Sequence, residues 1–120
     1  MAQKPLRAGL PIGALTHDHS ATSVDPASYT TLSASPISLS ADKIMVFDSS
    51  GEQIWLTWND TNLASTFTTT SNSILVPPGG LDGQPEVFIP SSQYLMIKSN
   101  TATTTSGQFI INLFKDPVFD

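Results

Sequence analysis

The chain contains no cysteine, so neither a disulfide nor a thiolate metal site is open to it. Charge is scarce as well: 12% of its 120 residues are Asp, Glu, Lys or Arg, against about 25% in ordinary soluble domains. Basic residues number five and the net charge is −5, which is not the footprint of a nucleic-acid binder. No apolar run approaches the ~18 residues that span a bilayer, so no membrane partner is expected. Ala8–Leu15 follows Lys4 and Arg7 as a secretory segment would. Gly9, Pro11 and Gly13 interrupt it and no small-residue cleavage site follows, so it reads as part of the mature chain. Sustained helical periodicity is missing too.

Hydroxyls fill the space that charge leaves. Sixteen Ser and fourteen Thr, with nine Pro and seven Gly, describe a chain rich in strands and turns. The length suits one domain with a core of its own.

Residues 1–29 show neither a period of 2 nor one of 3.6. Pro5, Pro11 and Pro26 exclude a helix interior there. Leu6, Leu10, Ile12 and Leu15 nevertheless make the stretch less polar than a disordered tail. The expectation is an extended N-terminal arm that orders against a neighbour, with Lys4 and Arg7 facing an acidic partner. The first twenty residues carry a net +1 and the remainder −6, which fits such a division.

From Thr30 to Asp120 the chain reads as a single β-sandwich domain. Ile37 and Leu39 alternate with hydroxyls over Pro36–Ser40, as in a half-buried strand. Lys43–Asp48 is an apolar run closed by charges, suited to a strand covered on both faces. Asp48-Ser49-Ser50-Gly51 then reads as a hairpin turn into Glu52–Trp58, with Ile54, Leu56 and Trp58 on one face. Leu63–Thr70 and Ile74–Val76 are further strands, Pro77–Gly83 an exposed loop and Glu86–Ile89 a strand start. Gln93–Ser99 alternates Leu95 and Ile97 against Tyr94 and Met96, and Gly107–Lys115 sets Phe109, Ile111 and Leu113 on one face. About eight short strands at this spacing predict an all-β, antiparallel, jelly-roll-like sandwich.

Chemistry is sparse. His17-Asp18-His19 places two imidazoles on one side of an extended chain, where three copies around an axis would bring six together for a divalent metal. Against that stands the plainer reading of solvated histidines on an arm. Asp48, Glu52, Asp60, Asp82 and Glu86 sit beside turns, where such carboxylates usually bond local backbone. No nucleophile motif, phosphate loop or calcium loop is present, so no catalytic residue and no cofactor is expected. Trp55 and Trp58 are three apart and therefore face opposite sides of a strand. Trp58 is assigned to the core, leaving Trp55, with Tyr94, for a carbohydrate surface or a subunit interface, against the plainer reading that both tryptophans are core packing on the two faces.

The strings Ser38-Leu39-Ser40, Asp48-Ser49-Ser50-Gly51, Gln53-Ile54-Trp55-Leu56, Val76-Pro77-Pro78-Gly79-Gly80 and Tyr94–Ser99 together resemble small structural proteins of tailed-phage virions. The likeness is to capsid cement or decoration proteins that fold as a β-sandwich with an N-terminal arm. It implies a non-enzymatic subunit at the capsid surface, clamping the major capsid protein or other virion subunits, as a dimer or trimer. A tail or fibre accessory, or a carbohydrate-binding receptor module, is the alternative.

Overall fold

The computed structural model describes residues 10–33, 35–63, 72–81 and 87–116. Eight strands follow in order: β1 (Leu10–Asp18), β2 (Thr30–Thr31), β3 (Lys43–Asp48), β4 (Ile54–Asn59), β5 (Ser73–Val76), β6 (Gly79–Leu81), β7 (Tyr94–Ser99) and β8 (Gln108–Lys115). They form two four-stranded antiparallel sheets, ordered β1-β8-β3-β6 and β2-β7-β4-β5. The protein is an all-β sandwich. Its pairs are nested, β1 with β8, β2 with β7, β3 with β6 and β4 with β5, as if one long hairpin with β4–β5 at its tip had been rolled up. Every other sequential connection passes from one sheet to the other.

Side-chain alternation explains how the sheets close on each other. Phe109, Ile111 and Leu113 of β8 share a face with Ile44 and Val46 of β3, their register partners or diagonal neighbours. Ile54, Leu56 and Trp58 of β4 line up beside Leu95 and Ile97 of β7 on the opposing sheet. These side chains make one core, most of it fully buried. Each such side chain contributes roughly 1.5–3 kcal/mol by leaving water.

Several sequence expectations need correction. Residues 10–29 are not a free arm: β1 runs antiparallel to β8 over its whole length, with a register shift between Pro11 and Gly13. Ile12 and Leu15 pack against the core, and Val24 is fully buried in a bridge to Thr104. The physical reason is that β8 offers an apolar, hydrogen-bonding edge in the same protomer, closer at hand than any neighbour's. Lys4, Leu6 and Arg7, the remaining arm residues, lie outside the described residues.

Asp48–Gly51 is a turn, with Gly51 at positive φ, but it does not close a hairpin. It carries the chain from β3 in one sheet to β4 in the other. Pro36–Ser40 is not a strand. Ile37 still turns toward the core, exchanging backbone bonds with Gln93 and Ser92. Gly79-Gly80-Leu81, expected as loop, is the short strand β6 against β3. Gly80 has φ 109°, and a Cβ there would lie 2.8 Å from the Val46 carbonyl carbon, so only glycine lets this strand approach. The run in β3 is fully covered on the face of Ile44 and Val46 and only in part on the other, where Lys43 is buried, Met45 half-buried and Phe47 54% exposed. Leu63–Thr70 and the start of Glu86–Ile89 fall largely outside the described residues; Ile89 itself forms a bridge to Ala41.

Candidate functional site

Two features of β1 carry chemical or binding potential. The first is its free edge. Among the described residues β1 has β8 on one side and no strand on the other. An edge strand presents unpaired N–H and C=O groups, and nine residues is long for one left open. Beside that edge runs a groove of about 230 Å³, lined along one wall by Ile12–Leu15 and along the other by Pro36, Ile37 and Leu39. Among the described residues no titratable side chain lines it. Leu10 and Leu39, each about half exposed, add apolar surface near it. Of the residues expected to bind a partner, Leu10, Ile12 and Leu15 thus lie on one strand, the last two in the groove wall.

The second feature is at the far end of β1. Register places His17 of β1, Phe109 of β8 and Asp48 of β3 in one row on the inward face. The chain then continues to His19, whose N–H donates to the Gly107 carbonyl. His19 is 1% exposed, as is Asp48. The His19 Nε2–H donates to Asp48 Oδ1 over 3.1 Å, and Ser50 Oγ donates to Asp48 Oδ2 over 2.6 Å. His17 lies alongside with ring centroids 5.2 Å apart, its Nε2–H donating to the Thr22 carbonyl. Both histidines therefore face one side, as expected. Neither sits on a free arm: His17 is half-buried, and His19 is enclosed by its own protomer rather than offered to an axis between three copies.

Asp48 is a further correction, because it bonds a buried imidazole and not merely its local turn. The signal was present in the alternation Ile44, Val46, Asp48, which sets the carboxylate on the inward face. As chemistry the cluster is not a nucleophile relay. The carboxylate stands between imidazole and hydroxyl, so neither imidazole reaches Ser50. Asp18, between the histidines, turns away to accept from both the backbone N–H and the hydroxyl of Ser20. The hydroxyl bond, aided by the backbone one, holds its carboxyl below the ordinary 3.8.

Trp55 and Tyr94 fall on the outer face of the second sheet, opposite Lys98 and Asn59 respectively. The row between them holds Thr57 and Met96, both fully buried, with the Leu63 N–H donating to the Met96 sulfur. Trp55 Nε1–H is engaged by Asn100 Oδ1. The two rings are thus separated by covered side chains and do not form one open platform. Trp58 is in the core.

Comparison with known proteins finds no match to a family model, to a curated protein or to a solved structure.

Proposed function

We propose that this protein is a non-enzymatic structural subunit of a virion, of the capsid cement or decoration type, and that its strand arrangement is a jelly roll. Two four-stranded sheets with the nested pairing of β1 with β8, β2 with β7, β3 with β6 and β4 with β5 support that reading, and jelly rolls recur in viral capsid domains and in lectins. Fold analogy alone does not assign a role. The observation that carries the reading is the open edge of β1 with a groove along the same four residues. An extended segment of a neighbouring capsid subunit laid on that edge gains main-chain hydrogen bonds, and its alternate side chains enter the groove. Affinity from one such contact is modest. Many copies on a shell raise it through effective concentration.

The contact differs from a free arm: Leu10, Ile12 and Leu15 act from a strand already fixed to the body, and the neighbour supplies the segment that becomes ordered. Tailed-phage particles from the source, purified on a density gradient, test the proposal. The chain is expected to band with the major capsid protein at stoichiometric amounts. Recovery only among slowly sedimenting proteins overturns it.

A further inference from the structure

We infer that His17 and His19 form a two-imidazole site for a divalent transition-metal ion. The argument begins with the hydrogen-bond partners. A backbone carbonyl can only accept, so the Thr22 oxygen requires a proton on Nε2 of His17. The Asp48 carboxylate requires the same of His19. In the neutral rings both Nδ1 atoms are then bare lone pairs. That of His19 is buried with no hydrogen-bond partner, an arrangement that costs stability unless something fills it.

Metal-ligating histidines characteristically donate the other ring N–H to a carboxylate or a backbone carbonyl, which fixes the ring and raises its basicity. Here one histidine has each kind of partner. The separation also fits. Two imidazoles bound to one tetrahedral ion at about 2.0–2.1 Å bring their ring centroids about 5 Å apart, and these rings are 5.2 Å apart and tilted by 43°. Asp48 behind His19 adds a negative charge favourable to a cation. Asp18 is turned away, and no third acidic or imidazole ligand converges among the described residues. The remaining coordination positions are therefore left to water or to a donor from outside the chain. A set of imidazoles without hard oxygen ligands selects zinc, nickel or copper over magnesium or calcium.

The test is titration of the metal-stripped full-length chain with Zn²⁺, read by calorimetry and by long-range ¹H–¹⁵N spectra of the imidazoles. The expected result is one Zn²⁺ per chain, with Nδ1 and not Nε2 of both histidines shifted. His17→Ala, which removes a partly exposed ring and leaves the His19–Asp48 pair in place, should weaken uptake at least tenfold while the chain stays folded. Absence of stoichiometric uptake at micromolar Zn²⁺, uptake unaltered by His17→Ala, or a shift on Nε2 overturns the assignment.

Discussion

Removing the Asp48 carboxylate should be among the most damaging single changes in the molecule. Asp48→Ala deprives His19 of its partner and frees the Ser50 hydroxyl, at a place where both ring and carboxylate side chains are fully buried. Breaking a buried pair by deleting one partner costs about 3–5 kcal/mol, because the survivor keeps its desolvation penalty. For a chain of this size that corresponds to a fall in melting temperature of roughly 10–20 °C. His19→Leu should cost a similar amount by stranding the carboxylate. The combination His19→Leu with Asp48→Val leaves only the part-buried Ser50 hydroxyl, which still accepts from the Glu52 N–H, and should recover most of the loss, since an apolar replacement of such a pair is often neutral. Urea unfolding followed by circular dichroism measures all three. Single losses below 1 kcal/mol, or a double variant whose loss is the sum of the two, would refute the reasoning.

Other expected outcomes are more local. Gly80→Ala combines a positive φ with a clash against the Val46 backbone, and should cost about 2–4 kcal/mol in equilibrium unfolding; Gly13→Ala, where a Cβ meets nothing within 4 Å, should cost less. Ser20→Ala removes the hydroxyl bond to Asp18, so the carboxyl should titrate closer to its ordinary 3.8 in an NMR titration. The sign follows from the direction of that shift. A depressed folded value means the folded state binds fewer protons, so the contribution is present above the unfolded value and is lost as pH falls through the folded one. The variant should therefore lose less stability than wild type on acidification.

Strands that carry their own alternation were legible without coordinates: β4, β7 and β8 fall where a period of 2 sets branched and aromatic residues on one face. β1 was not, because Leu10–Asp18 holds a proline and a glycine and lacks that alternation; its extended form is imposed by the partner strand β8. β6 was hidden for a related reason, since two glycines read locally as loop while their close approach to β3 demands them. The turn at Asp48–Gly51 was legible as a turn, but local chemistry does not say which sheet the next strand joins. Of the sites, the shared side of His17 and His19 followed from their i, i+2 spacing. The burial of His19 did not, as it depends on Gly107 and Asp48, residues 88 and 29 positions away.

The proposed capsid role is tested most directly by co-sedimentation of the purified protein with tailed-phage capsids that lack it, comparing wild type, expected to bind, with Ala14→Lys/Thr16→Lys. Both positions are exposed on β1, and lysines on an edge strand oppose strand addition. The double variant should keep its circular dichroism spectrum and its unfolding midpoint, yet leave the capsids bare. Full occupancy by that variant would contradict binding through the β1 edge.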